Sequence, residues 1–377
     1  MNHLIPTTLP ARPTCVIVPD ATRPIDYLKT VRPLLEALCA GGSQVRILVA
    51  LGLHRPMTDA ELAPLEGAAA GLGVAIEQHD ARGDLVDLGV ATELPDSAPA
   101  NLPITLNHRL VEAERIICVG TVEPHQYAGF SGGIKAISIG CAGEATITAM
   151  HGLSLLRDEG TCLGGVRQNP FQACLWRIAH SFDDVLGLQV VPTGEGEEPT
   201  FFGEIKEAFE SACQVARREF FETFDEQVDW LHLPVPAVKA ANFYQASRAA
   251  TYAALVDGPA IRDGGTIIVE AACPEGIGMG TGERACAEAM LRGRDALLDE
   301  LKAGTAQTRG GQQRAYVLAR TCARYRVALV GAPTMPELEA MGIEQFESLE
   351  SATADLGLRG RPAARVDNIF RAIPTMS

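Results

Sequence analysis

The segment from Pro124 to Lys135, PHQYAGFSGGIK, brings together residue types that can do chemistry. His125 lies ten residues before Lys135, and His151 lies sixteen residues after it. A neutral lysine amine is a nucleophile, and an imidazole carries protons near neutral pH or ligates a metal. The segment therefore predicts a functional site whose candidate parts are a covalent anchor, a proton carrier and a metal ligand.

The glycines before Lys135 are the second feature of this segment. Gly132 and Gly133 let the backbone adopt positive φ or come close to a ligand, which is costly for residues with a Cβ. Apolar residues surround the loop, and an unpaired buried lysine is unfavourable there, so Lys135 needs a partner or a neutral state. A plain strand, turn and helix with a solvated lysine is the alternative for any single Gly-Gly-x-Lys, and the two histidines argue against it.

Polar residues also follow strand-like runs earlier in the chain. Apolar runs end before Asp20 and before His54, and a third run ends shortly before His125. Helical patterns follow the first two runs, and Thr58 with Glu61 has the spacing of a capping box. In open α/β sheets ligands collect beyond the carboxyl ends of the strands, so these three ends are expected to converge on one site.

The second half of the chain repeats the alternation of strands and helices. Gly264-Gly265 predicts a turn before a buried strand, and the residues after Cys273 predict a second Gly-rich loop. We therefore predict an α/β protein of two α/β domains, 1–220 and 221–377, with the active site in the cleft between them. The last residues are expected to pack back on the N-terminal domain.

Composition narrows the classes of function. The 377 residues are 47% hydrophobic and carry a formal net charge of −15, without a cluster of Lys and Arg. This excludes a nucleic-acid surface, and the absence of a long apolar run or signal-like N-terminus predicts no membrane contact and a cytoplasmic location. Ten separate cysteines fit neither a disulfide framework nor a zinc ribbon. An anionic substrate would need local cations, for which the candidates are Arg23, Arg55, Lys135 and Arg248.

Seven motifs in this order resemble the nickel-dependent lactate racemase family, whose members carry a nickel-pincer nucleotide. The resemblance covers nearly the whole chain. The motifs are Asp20-Ala21-Thr22-Arg23-Pro24, Gly52-Leu53-His54-Arg55-Pro56, the Pro124 to Lys135 block, His151-Gly152, Asn169-Pro170, Tyr244-Gln245 and the Gly264 to Gly278 block.

The resemblance implies a racemase or epimerase of a small 2-hydroxy acid. Its cofactor would be pyridinium-3-thioamide-5-thiocarboxylic acid mononucleotide with nickel, joined to Lys135 through a thioamide. His151 would ligate the nickel, which suits a neutral imidazole. Proteins that build the cofactor are implied as partners, and protein made without them is expected to be apo.

The resemblance also assigns the remaining site residues. His54 and His125 match the paired acid/base groups, one for each face of the substrate. Asp20, Gly132, Gly133 and Tyr244 are implied to contact the cofactor, and Asp20 is close enough in sequence to orient a histidine or Arg23. The substrate-binding residues are Arg23, Gln245 and Arg248, since an arginine suits a carboxylate.

Some positions depart from the family pattern. Arg248 stands where members commonly have a lysine, and Gly311-Gln312 stands where they commonly have Trp-Gln. These changes predict an opening at Gly311 and an acid longer or more anionic than lactate. Two other classes stay open: a lyase or hydrolase that uses Lys135 and the histidines without the nucleotide, and a non-catalytic cofactor-binding homologue.

Overall fold

The computed structural model describes residues 5–23, 25–194, 198–304 and 308–377. Pro24, which belongs to the first motif, lies outside the described residues. Strands and helices alternate along the described chain, which confirms the predicted α/β class. No helix of this described part is long and apolar enough to cross a lipid bilayer.

The strands form two large sheets and three short two-stranded pairs. In chain order they are β1 (Thr14–Pro19), β2 (Val45–Ala50), β3 (Ala75–Gln78), β4 (Leu85–Val90), β5 (Pro103–Asn107), β6 (Arg115–Thr121), β7 (Pro124–His125), β8 (Gly129–Phe130), β9 (Val185–Val190), β10 (Thr200–Glu204), β11 (Phe221–Phe224), β12 (Val228–Pro234), β13 (Ile261–Glu270), β14 (Arg326–Val330), β15 (Glu344–Phe346), β16 (Ala363–Arg365) and β17 (Ile373–Met376).

The helices follow the strands with short connections. They are α1 (Tyr27–Ala40), α2 (Asp59–Ala69), α3 (His108–Glu112), α4 (Glu144–Met150), α5 (Leu153–Leu156), α6 (Pro170–Ala179), α7 (Ile205–Phe220), α8 (Phe243–Ala254), α9 (Thr281–Met290), α10 (Arg294–Ala303), α11 (Gln313–Arg324), α12 (Pro336–Ala340) and α13 (Leu349–Asp355), with a π-helical turn at Ala136–Gly140. Thr58 and Glu61 form the predicted capping box at the start of α2.

The first compact unit combines Met1–Pro124, Phe130–Met150 and Pro170–Arg217. Its six-stranded sheet has the order β10-β9-β6-β1-β2-β3, and every neighbouring pair is parallel except β9 with β10. The strands β1 and β6 are apolar along almost their whole length, as expected for parallel strands covered on both faces. The carboxyl ends of β6, β1 and β2 are therefore neighbours at one edge.

The second unit combines His125–Gly129, His151–Asn169 and Arg218–Ser377. Its sheet is parallel, with the order β15-β14-β13-β12-β16, and Ile268, Ala328 and Leu356 belong to a core cluster on it. The last strand, β17, pairs with β11 of the same unit. The chain's end, which we expected on the N-terminal domain, is thus part of the second unit.

Two features differ from the sequence-based prediction. The segments His125–Gly129 and His151–Asn169 fall inside the predicted N-terminal domain but belong to the second unit, because the chain leaves the first sheet twice and returns. Gly264 and Gly265 do not form a turn before a strand. They lie inside β13, where the pairing register with β12 shifts, so the predicted turn is wrong and the glycines accommodate a bulge. The placement of the active site in a cleft stays a prediction.

Candidate active site

In the first unit, Asp20 and His54 form a hydrogen-bonded pair at the ends of neighbouring strands. His54 Nδ1 lies 2.6 Å from Asp20 Oδ2, and Thr22 donates to Asp20 Oδ1 through its backbone N–H and its hydroxyl. Burial alone raises the pKa of Asp20, but the hydrogen bonds from His54 and Thr22 outweigh burial and lower the pKa below its ordinary value. The Asp20 side chain is 8% exposed and that of His54 is 61% exposed, so the carboxylate positions a ring that faces outward.

The turn that carries Lys135 packs against the His54 loop. The Gly52 N–H donates to the Gly140 carbonyl at 2.9 Å, and a Cβ at Gly140 would lie 2.7 Å from the Ala50 Cβ. On the other side the Ser138 hydroxyl donates to the Leu175 carbonyl at 2.6 Å. The π-helical turn is thus fixed between the end of β2 and α6. Such turns are frequent at functional sites.

Lys135 itself is half-buried. The pKa of its amine is lowered from 10.5 to about 8, mainly by burial and also by the nearby Arg23 guanidinium, while Asp20 opposes the shift. Arg23 therefore lies close enough to Lys135 for its charge to act on the amine. An amine with this pKa has a usable neutral fraction near neutral pH, which a covalent anchor requires.

Gly132 and Gly133 use their conformational freedom to pack closely inside the first unit. Both have positive φ, at 82° and 55°. A Cβ at Gly133 would lie 2.7 Å from the Phe209 ring, and one at Gly132 would lie 2.7 Å from Gln189 Oε1. The Gly133 N–H already donates to Gln189 Oε1 at 2.7 Å. The glycines therefore set the path of the chain into Lys135 by fitting against protein side chains.

In the second unit, His125 is held by its own loop. Its Nδ1 accepts hydrogen bonds from the backbone N–H groups of Tyr127 at 3.2 Å and Ala128 at 3.1 Å. The Asn169 side-chain amide donates to the Tyr127 carbonyl at 2.8 Å and to the Gly165 carbonyl at 3.0 Å, which fastens this loop to the segment before α6. His125 is thus positioned by main-chain donors.

Tyr127 links the two histidines of the second unit. Its ring centroid lies 5.7 Å from that of His125 and 5.9 Å from that of His151, with an edge contact in each case. Burial raises the pKa of the Tyr127 hydroxyl well above its ordinary value. The tyrosine therefore acts as a neutral spacer between a candidate acid/base group and the candidate metal ligand.

The start of α8 places Tyr244 and Gln245. The Asn242 side chain caps this helix by accepting from the Gln245 N–H at 3.0 Å, and the Tyr244 N–H donates to the Ile277 carbonyl at 3.1 Å. The predicted Gly-rich loop after β13 therefore supports the helix terminus. Glu275 Oε2 accepts from the Asn242 amide at 3.2 Å, so it stabilises the cap.

Two of the candidate cations have different surroundings. Arg248 lies one turn after Tyr244 on α8, and its charge acts on the Tyr127 hydroxyl. Arg55 instead makes a two-pronged ion pair with Glu61, the glutamate of the α2 capping box, at 2.7 Å for each bond. Arg55 is thus neutralised at a helix terminus.

Two features of the second unit, a buried arginine and the surroundings of Gly311, differ from the sequence-based prediction. Arg314 is 9% exposed, and its guanidinium carbon lies 4.2 Å from the centroid of the Tyr244 ring. Gly311, with φ of 93°, approaches the backbone of Gly282 so closely that a Cβ would lie 2.1 Å from the Gly282 carbonyl oxygen. The predicted opening at Gly311 is therefore wrong, because the backbone of α9 fills that space. The Gly-Gly pair before α11 was the one sequence signal of this close approach.

Metal-ligating side chains do not cluster in the described part of the chain. Within residues 5–23, 25–194, 198–304 and 308–377, no group of three or more His, Cys, Asp or Glu side chains is arranged to hold a metal ion. His151 is half-buried beside Tyr127.

Comparison with known proteins places this site in a family context. Residues 3–162 match the family model of the lactate racemase N-terminal domain. Lactate racemase from Thermoanaerobacterium thermosaccharolyticum is 27% identical over 325 residues, which are 84% of this chain and 72% of that protein. Lactate racemase from Lactiplantibacillus plantarum is 26% identical over 370 residues, which are 93% of this chain and 81% of that protein.

The fold is shared with solved structures. The lactate racemase apoprotein from Thermoanaerobacterium thermosaccharolyticum superposes with a TM-score of 0.79 at 23% identity, covering 97% of this chain and 87% of that one. A Thermotoga maritima protein superposes with a TM-score of 0.65 at 17% identity, covering 97% of this chain and 94% of that one. These two likenesses establish the fold.

Proposed function

We propose that the chain is a member of the lactate racemase family, to whose N-terminal domain model and curated members it is similar, and that it is an isomerase that interconverts the stereoisomers of a 2-hydroxy acid, with His54 and His125 as its paired acid/base groups. The observation that carries the proposal is the opposite hydrogen bonding of the two rings: His54 Nδ1 faces a carboxylate, whereas His125 Nδ1 faces two backbone N–H groups.

These contacts give the two neutral rings opposite tautomers. The carboxylate of Asp20 favours a proton on Nδ1 of His54, which leaves a lone pair on Nε2. The N–H groups of Tyr127 and Ala128 require a lone pair on Nδ1 of His125, so its proton resides on Nε2. In their neutral forms, His54 thus presents a lone pair at Nε2 and His125 presents an N–H there.

A racemase uses such a pair once in each turnover. The accepting histidine takes the hydroxyl proton of one enantiomer and becomes an imidazolium, and the other histidine, which enters the turnover as an imidazolium, returns a proton to the oxygen of the other enantiomer and becomes neutral. We assign His54 and His125 to opposite faces of the substrate. The rings exchange protonation states at each turnover, and the opposite enantiomer then uses them in reversed roles.

The residues of the first unit fit a covalently attached nucleotide. A half-buried lysine with a pKa of about 8 is neutral in about one molecule in ten at pH 7, which suits acylation of the amine. Lys135 would hold the nickel-pincer nucleotide, and Asp20, Gly132 and Gly133 would lie near the attachment point. Two residues of the second unit would complete the site, Tyr244 as a contact to the cofactor and His151 as the nickel ligand. The bound cofactor would supply a reversible acceptor for the hydride on the substrate Cα.

Arginine and amide side chains would hold the substrate carboxylate. Arg23 lies near Lys135, as its effect on the lysine pKa indicates, and a guanidinium suits bidentate capture of a carboxylate. Gln245 and Arg248 are adjacent on the first turns of α8. We further propose that the protein prefers an acid longer or more anionic than lactate. We also propose that it is cytoplasmic and that its partners are the proteins that build the cofactor.

The test is a racemisation assay on protein produced together with cofactor-building enzymes. Single enantiomers of lactate, malate, longer 2-hydroxy acids and sugar acids are followed to optical inactivity, with His54→Asn as the matched inactive control. Racemisation of at least one acid by the wild type alone supports the proposal. Adduct-bearing protein that racemises none of them would indicate a binding homologue, and cleavage or hydrolysis by adduct-free protein would indicate a Lys/His lyase or hydrolase.

A further inference from the structure

The start of α11 is fixed by a backbone contact that brings an arginine into the interior of the second unit. Gly311 can approach the backbone of Gly282 this closely only because Gly311 has no Cβ, which would lie 2.1 Å from the Gly282 carbonyl oxygen. The Arg314 N–H donates to the Gly311 carbonyl at 3.2 Å, and Arg314 is the second residue of the helix. Its side chain is thereby held beside α8, where the guanidinium stacks on the Tyr244 ring at 4.2 Å.

Two nitrogens of the Arg314 guanidinium are buried without an acceptor among the described residues. Its Nε and Nη1 atoms are inaccessible to solvent and have no hydrogen-bond partner among the described residues. A buried donor that lacks an acceptor costs free energy, and a stacking contact with a tyrosine ring supplies no acceptor. The arrangement therefore calls for an anionic acceptor that the described residues do not supply.

Another arginine shows what a structural version of this contact looks like. Arg292 lies over the ring of Tyr316 at 5.8 Å, and it donates to Glu300 and to the Tyr316 hydroxyl at 2.8 Å each. Its charge is thus paired within the protein. Arg314 likewise stacks on a tyrosine ring, but no carboxylate among the described residues pairs with it.

A second polar atom beside Tyr244 points to the same ligand. The Gln245 Oε1 atom is buried and has no donor among the described residues. Arg314 thus offers hydrogen-bond donors and Gln245 offers an acceptor, which together match a molecule with a carboxylate and a hydroxyl group. Arg248 adds a further cation, since both arginines act on the hydroxyl of Tyr127.

We propose that Arg314 binds a carboxylate of the substrate and that the substrate class is a 2-hydroxy dicarboxylate. The inference rests on the proposed function and deepens it. Arg314, stacked on the Tyr244 ring, and Arg248, one turn after Tyr244 on α8, supply two guanidinium groups. A monocarboxylate pairs with one of them, whereas a dicarboxylate pairs with both. Burial and stacking hold the Arg314 fork in one orientation, which favours carboxylate binding.

The experiment is calorimetric titration of cofactor-loaded protein with racemic malate and with racemic lactate. A racemic mixture undergoes no net racemisation, so the titration reports binding whether or not the protein is a racemase. We expect wild-type protein to bind malate at least about tenfold more tightly than lactate, and Arg314→Met to lose at least about tenfold in malate affinity with little change for lactate. Arg292→Met, the matched control, should leave both affinities unchanged.

Arg314→Lys retains the charge without the fork and should lie between wild type and Arg314→Met. It also keeps the test decisive if Arg314→Met fails to fold. Equal binding of malate and lactate by wild type, or malate affinity that Arg314→Lys and Arg314→Met leave intact, would overturn the inference. Failure of the racemisation assay with these affinities as expected would instead overturn the proposed function alone.

Discussion

The two candidate acid/base histidines are held by different means, and the difference bears on how each can work. In the first unit the buried Asp20 carboxylate fixes His54, whose ring is largely exposed. In the second unit two backbone N–H groups fix His125, and Asn169 holds that loop through the Tyr127 carbonyl. One ring depends on a single side chain and the other on the shape of a loop.

This contrast teaches that the same residue type can be prepared for opposite proton transfers. A carboxylate partner stabilises a histidine that gains a proton, because the resulting imidazolium is paired. Two backbone N–H donors favour the neutral ring, because a protonated Nδ1 would place its own N–H against theirs. His54 is therefore suited to accept a proton, and a protonated His125 is suited to give its proton up.

The largest expected effect concerns the anchor, on which both histidines depend. Lys135→Ala should abolish the covalent adduct and the activity together, because no other amine occupies the π-helical turn. His151→Ala should keep the adduct and lose much of the nickel, since a thioamide survives the loss of a metal ligand on another residue. Intact mass and metal analysis of the two variants measure this. Equal adduct in Lys135→Ala and wild type would refute the assignment.

The histidines come next. His54→Asn and His125→Asn should each slow racemisation in both directions by about 10²- to 10⁴-fold, because every turnover uses one ring as base and the other as acid. Steady-state rates from each enantiomer provide the measurement.

The loop around His125 allows a sharper control. The asparagine of His125→Asn still offers an oxygen to the N–H groups of Tyr127 and Ala128, whereas His125→Ala removes the acceptor as well. His125→Ala should match His125→Asn in rate and be less stable by about 1 kcal/mol. An alanine variant that retains wild-type rates would remove His125 from the chemistry.

A smaller effect is expected for the carboxylate behind His54. Asp20→Asn keeps the shape and loses the charge, so we expect a fall in kcat of about 10- to 100-fold, as for other partners that orient a functional histidine. Thr22→Val removes one donor to Asp20 and should cost only a few-fold. Rates for Asp20→Asn indistinguishable from wild type would mean that His54 works without its partner.

The smallest effect is a change in titration. In apoprotein, labelling of Lys135 by an amine reagent should reach half its maximal rate at about pH 8, since burial and Arg23 lower the lysine pKa to that value. Arg23→Gln should move this midpoint upward. Because the unfolded chain binds the proton up to about pH 10.4, this group should also make the folded apoprotein more stable as pH rises from about 8 to about 10.4. A labelling midpoint near 10.4 would contradict the burial of the amine.

The sequence predicted those parts of the site that follow from local pattern. The apolar runs before Asp20 and His54 placed both residues at strand ends, and parallel neighbours bring such ends together. The Thr58–Glu61 capping box was equally local. These features depend on residues close in the chain or on the general geometry of α/β sheets.

Other parts of the site depend on contacts between distant segments, which a sequence pattern does not contain. Gln189 and Phe209 determine how the glycines before Lys135 pack. The backbone of Gly282 lies so close to position 311 that only glycine fits there, and it fills the space where an opening was predicted. Arg314 became a candidate binding residue only when the structure gave its contact with the Tyr244 ring and its lack of an acceptor among the described residues.

The most direct test of the account is the ¹⁵N chemical shifts of the imidazole rings in histidine-labelled apoprotein, with His54→Asn and His125→Asn used to assign the signals. The account predicts that, above the pH where the rings are protonated, Nδ1 of His54 carries the proton and Nε2 does not, and that His125 shows the reverse. Finding the same tautomer in both rings would contradict the claim that the two histidines are prepared for opposite proton transfers.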